Sequence, residues 1–118
     1  MNIKLDKDYE IKTTLGTIRE IERLFDMGFL DVLTKVFSMK LEEQLKFVYA
    51  GFKKANPNVD EDKFIELCED NLGMGKLMEV IEEYIFALQF PGMSEEEVHK
   101  TMEKKLQRKT MLERLKSK

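Results

Sequence analysis

The spacing of the apolar residues changes once along the chain, near residue 13, and this change limits the folds available. Before it, Ile3 and Leu5, and then Tyr9 and Ile11, alternate with polar neighbours on either side of a polar stretch at residues 6–8. Alternation with a period of two around a short polar turn predicts a β-hairpin. Because two strands alone are marginally stable in water, we expect the hairpin to pack against helices.

After residue 13 the apolar residues recur at helical spacing. On the third predicted helix Leu41, Leu45, Val48 and Phe52 form one inward stripe, and Gly73 and Gly75 separate the fourth helix from the fifth. Capping residues, glycines and prolines set the helix limits. The first predicted helix runs from Thr14 or Thr17, as N-cap, to Gly28, and the second covers residues 29–37. The third begins at the N-cap Ser38 and ends at residue 55, and the fourth begins at the N-cap Asp60 and ends at residue 72. The fifth covers residues 76–90, and the sixth begins at Ser94.

The expected fold is therefore mainly α: a compact domain of five or six helices with a small N-terminal β-hairpin. The 118 residues suffice for one domain. We assign residues 1–92 to the hairpin and helical domain, and residues 93–118 to a basic C-terminal helix or tail. In that tail Val98, Met102, Leu106, Leu112 and Leu115 form a thin apolar stripe, which favours ordering against a partner.

The formal net charge of -3 hides an uneven distribution along the chain. Residues 1–98 hold 12 Lys/Arg and 21 Asp/Glu, whereas residues 99–118 hold 8 Lys/Arg and 2 Asp/Glu. The chain thus has an acidic body and a tail of net charge +6. Such a tail suits nucleic acid, an acidic partner protein or the acidic body itself, and charge alone leaves all three open.

Few residues suit catalysis or metal binding. Cys68 is the only cysteine, which excludes a disulfide scaffold, and it lies near an apolar stripe among acids, where we expect a packed, unreactive thiol. His99 is the only histidine, and we expect it at a solvated surface. We predict no catalytic, cofactor or metal site. No apolar run approaches the roughly 18 residues of a membrane span, and we expect a soluble intracellular protein.

Three phenylalanines lie off the main apolar stripes of their predicted helices. At 100° per residue, Phe86 and Phe90 fall on the back of the fifth helix, and Phe47 falls away from the stripe of the third. Such residues are either buried between neighbouring helices or exposed as an association surface. We favour burial, and take these rings as the candidate association surface if they are exposed.

The order of these segments is informative. The hairpin of residues 3–12 leads into a helix at residues 15–22, followed by LKFVYAGFK at residues 45–53 and, after a proline loop, VDEDKFIE at residues 59–66. Over about residues 1–90 the chain resembles the tail assembly chaperones of long-tailed bacteriophages (siphoviruses) and related prophages. In that family a short hairpin precedes a compact helical domain, and a central helix carries a similar apolar-Tyr-Ala-Gly-apolar-Lys stretch.

The resemblance implies a non-enzymatic viral assembly factor of the bacterial host cytoplasm. Such a protein binds the tape measure protein, assists tail tube assembly by bringing tube protein to it, and uses no cofactor or membrane; self-association is left open. The candidate partner-binding residues are Phe47, Phe86, Phe90, Lys104, Lys105 and Arg108. The alternative is a small nucleic-acid-associated regulator that uses residues 99–118 as a basic helix, but the acidic body disfavours nucleic acid.

Overall fold

A computed structural model describes residues 1–91, which form a two-stranded hairpin followed by five α-helices. The mainly helical fold with a small N-terminal hairpin is thereby confirmed. The helix predicted from Ser94 onward lies outside the described residues. The elements are β1 (Asn2–Lys4), β2 (Asp8–Glu10), α1 (Leu15–Phe25), α2 (Phe29–Lys35) with a following 3-10 turn (Val36–Ser38), α3 (Leu41–Ala55), α4 (Glu61–Asn71) and α5 (Met74–Gln89).

The hairpin packs one apolar face onto the helices. Its strands are antiparallel, with Ile3 opposite Tyr9 and both side chains buried. The Tyr9 hydroxyl donates to the Asp6 carboxylate at 2.7 Å, which ties the turn to the second strand. The Tyr9 ring lies 5.3 Å from that of Phe52 on α3. The alternating pattern therefore places its apolar residues against α3, as the instability of an isolated hairpin requires.

Local signals explain most of the helix limits. Asp60 caps α4 as predicted, because its carboxylate accepts the backbone N–H of Lys63 at 2.8 Å. The prediction that Ser38 caps α3 is wrong: Lys40 holds that position, and the Ser38 hydroxyl donates to the Lys35 carbonyl at 2.9 Å. Of the two threonines, Thr14 precedes α1, while the buried Thr17 donates to the Lys12 carbonyl at 2.8 Å.

Helix α3 forms the centre of the domain. The Phe52 ring lies 4.5 Å from Phe64 of α4, and the Phe47 ring meets Tyr84 of α5 edge-on at 5.0 Å. All four of these aromatic residues are fully buried. Because α3 is covered on more than one side, its buried residues extend well beyond a single stripe: Gln44, Leu45, Phe47, Val48, Ala50, Gly51 and Phe52.

Gly51 of α3 lies in close contact with two other parts of the domain. A Cβ atom there would lie 2.6 Å from the Lys12 carbonyl oxygen and 2.9 Å from the Tyr84 hydroxyl oxygen. The Lys12 N–H donates to the Gly51 carbonyl at 3.1 Å, so the backbones are in direct contact. Only glycine allows two neighbours to approach α3 this closely: the backbone at Lys12, which follows the hairpin, and the Tyr84 hydroxyl group of α5.

Replacement of Gly51 by alanine should destabilise the domain. The added methyl group would displace the Lys12 backbone or the Tyr84 ring, and overpacking of this kind costs about 1–3 kcal/mol. Gly75→Ala is the matched control, because a Cβ at this α5 position has no atom within 4 Å and removal of a helical glycine is neutral or stabilising. Urea unfolding of both variants tests the claim; equal midpoints would contradict it.

Candidate protein-binding groove

An apolar groove opens where the start of α3, the end of α4 and the start of α5 meet. It encloses about 220 Å³ and is lined by Leu41, Leu45, Cys68, Glu69, Leu72, Gly73, Met74 and Leu77. A neighbouring depression of about 300 Å³ shares Leu41, Leu45 and Glu69 and adds Glu42 and Ile65. Together they form one continuous surface, called the α3–α5 groove below.

The floor of the α3–α5 groove is buried, while its rim is exposed. Leu45 and Leu77 are 5% and 4% exposed, whereas Leu41 and Met74 are 50% and 55% exposed. Leu41 and Met74 are the first residues of α3 and α5, so they lie where each helix emerges from the core. Burial of the remaining area of these two side chains by another polypeptide would release free energy.

The edges of the α3–α5 groove are acidic. Glu42 and Glu69 line it and are exposed, and residues 60–70 carry six acids against Lys63 alone. Lys46 approaches Glu42 only at 3.9 Å, in an exposed ion pair of the kind that contributes little to stability. An apolar floor with negative edges suits an amphipathic segment that has basic residues beside its apolar face.

The thiol of Cys68 faces the floor of the α3–α5 groove but is not suited to nucleophilic chemistry. Its residue is 3% exposed, and burial, reinforced by the charge of Glu69, raises the pKa of the thiol from 9.0 to about 12. The thiolate is the reactive form, so this environment suppresses reactivity. The prediction of a packed, unreactive cysteine agrees with this placement.

Other polar groups within residues 1–91 do not converge on a second site. Burial raises the pKa of the Tyr84 phenol, which lies beside Gly51 in the core. The Gln44 amide donates to the Val36 carbonyl at 3.0 Å. In this part of the chain no three His, Cys, Asp or Glu side chains are grouped as metal ligands, and no helix has the length and apolar character of a bilayer span.

The candidate residues from the sequence do not form the groove. Phe47 is fully buried against Tyr84, which agrees with the favoured burial interpretation and removes this ring from the candidate association surface. Phe86 and Phe90 are partly buried at the far end of α5, about 18 Å or more from Met74 at 1.5 Å per residue. His99, Lys104, Lys105 and Arg108 lie outside the described residues.

The sequence did not reveal Leu41 and Met74, the two exposed apolar residues of the rim. The helical period placed Leu41 on the inward stripe of its helix, and the two neighbouring glycines placed Met74 in a linker. One signal was present, because Leu41 is the first apolar residue of its stripe.

Comparison with protein-family models, curated proteins and solved structures finds no match to this chain.

The native protein should resist alkylation of Cys68. A rise of the pKa from 9.0 to about 12 lowers the thiolate fraction at about pH 8 by roughly a thousandfold. Iodoacetamide modification, followed by mass spectrometry in buffer and in denaturant, should therefore be fast only in the unfolded chain. Equal rates in the two conditions would contradict the burial of this thiol.

Proposed function

We propose that the protein is a non-enzymatic phage tail assembly chaperone whose α3–α5 groove binds a helical segment of the tape measure protein. The observation that carries the proposal is the half-exposed pair Leu41 and Met74 above an apolar floor. The resemblance of residues 1–90 to tail assembly chaperones supports the choice of partner. A groove of this chemistry is suited to holding a polypeptide rather than to transforming a small molecule.

The shape of the groove supports a helical ligand. Its two adjoining depressions share Leu41 and Leu45, so they lie side by side. Apolar side chains at i and i+3 or i+4 of a helix are about 5–6 Å apart and would enter neighbouring depressions. Basic residues beside this stripe would lie against Glu42 and Glu69, which orients the bound segment.

The size of the groove predicts reversible binding. Each fully buried apolar anchor contributes about 1.5–3 kcal/mol, and association costs at least about 4 kcal/mol in lost translational and rotational freedom. Two or three anchors therefore give weak, reversible binding at each site. That strength suits a chaperone, which must shield the apolar stripe of a long helical protein and leave it when tube subunits polymerise.

The remaining parts of the proposal follow from the resemblance. The protein would act in the bacterial cytoplasm during virion assembly and would bring tail tube protein to the tape measure protein. The second candidate function, a nucleic-acid-associated regulator, depends on the basic residues 99–118. Against it, residues 1–91 carry 12 basic and 18 acidic side chains, so the described body repels a phosphate backbone.

Loss of the apolar rim should weaken binding of the tape measure protein. The double variant Leu41→Ser with Met74→Ser should lower the affinity for tape measure fragments from the same genome by about tenfold, since two half-exposed contacts are lost. Leu15→Ser with Leu30→Ser is the matched control, because these residues are 82% and 76% exposed and line neither depression. Titration calorimetry on the full chain measures the affinity of each double variant for the tape measure fragment.

Equal losses for the two double variants would place the binding surface elsewhere. No binding of any tape measure fragment, together with duplex-DNA binding that weakens steeply with salt, would favour the regulator instead.

A further inference from the structure

We propose that residues 108–116 of this chain occupy the α3–α5 groove of the same molecule. The segment reads RKTMLERLK and holds four basic residues and one acid. Its apolar residues Met111, Leu112 and Leu115 have the i, i+1, i+4 spacing of one helical face. The inference does not depend on the identity of any external partner.

The charges of the segment and of the groove are complementary. Glu42 and Glu69 edge the groove, and Glu66 and Asp70 are exposed on the adjoining helix α4. Two lysines on the helices that the rim residues begin, Lys46 and Lys76, pair with Glu42 and Glu79 at 3.9 and 3.4 Å, and the exposed Lys40 directly precedes Leu41. These ion pairs are exposed and contribute little, so the acids beside the groove stay available to the basic segment.

The length of the chain places this segment at the groove. Helix α5 runs from Met74, in the rim, to Gln89, which is about 22 Å at 1.5 Å per residue. A helix that starts at Ser94, as its capping box predicts, and returns antiparallel to α5 covers the same distance by about residue 109. Met111, Leu112 and Leu115 would then lie about 3–9 Å past the level of Met74, at the end of α5 where the groove opens.

A segment of the same chain has an advantage over a second copy. A short connection between two binding elements gives an effective concentration in the millimolar range, whereas a second copy binds only at its own total concentration. Pro91 and Gly92 stand between α5 and the segment and favour a turn. Occupation of the groove from within the molecule would also cover Leu41 and Met74 in the free protein.

Zero-length carbodiimide cross-linking of the full chain tests the inference, because it joins carboxylates to lysines that are in direct contact. An equal mixture of light and heavy isotope-labelled chains, without any other protein, should yield cross-links from Glu42 or Glu69 to Lys109 or Lys116 in single-isotope peptide pairs only. Mixed-isotope pairs that make up about half of these cross-links, as random pairing of two copies gives, would overturn the inference in favour of a second copy. Absence of these cross-links would also overturn it.

Variants separate specific docking from general charge attraction. Leu41→Ser with Met74→Ser keeps every acid of the groove and should lower the cross-link yield by about tenfold. Leu112→Ser with Leu115→Ser should lower it equally without altering the described domain, and Leu15→Ser with Leu30→Ser should leave it unchanged. The same cross-link yield in all three double variants would overturn the inference. The cross-linking experiment contains no tape measure protein. Its outcome therefore does not depend on whether the groove binds that protein.

Discussion

The close contact of Gly51 with the Lys12 backbone and the Tyr84 hydroxyl group determines how α3 lies in the domain. At this residue the segment after the hairpin and the Tyr84 side chain of α5 lie so close to α3 that a side chain at position 51 has no room. The Phe52–Phe64 and Phe47–Tyr84 ring contacts then fix α4 and α5 around it. The first turn of α3 extends past these ring contacts. Leu41 therefore lies beside the end of α4 and the start of α5.

This arrangement gives the groove its character. The side chains of its floor are buried because the three helices converge there, while Leu41 and Met74 stay half-exposed because each begins its helix. Leu15 and Leu30 are more exposed than either, but they line neither depression. Exposed apolar area favours specific association when it is joined to a shaped cavity and to charges of one sign, as it is in the α3–α5 groove.

Most of the fold was predictable because its signals are local. The alternation of Ile3 with Leu5 gave the hairpin, and Asp60 marked the start of α4. The groove was not predictable, because it depends on which helices surround α3. A single stripe placed Leu41 inside, but the structure leaves it half-exposed, and it left the off-stripe Phe47 either buried or exposed, where the structure buries it. The reason is that α3 is covered on several sides at its middle and on few at its start. The helical period of the apolar residues identifies the apolar face of a helix, but it does not show which elements pack against the other faces.

The central claim is that the α3–α5 groove binds another polypeptide segment, and methyl NMR of the full chain tests it most directly. On titration with a tape measure fragment, the methyl resonances of Leu41, Leu45, Met74 and Leu77 should shift, while those of Leu15 and Leu30 should stay in place. Shifts confined to residues outside the groove, or no shift at saturating fragment, would contradict the account.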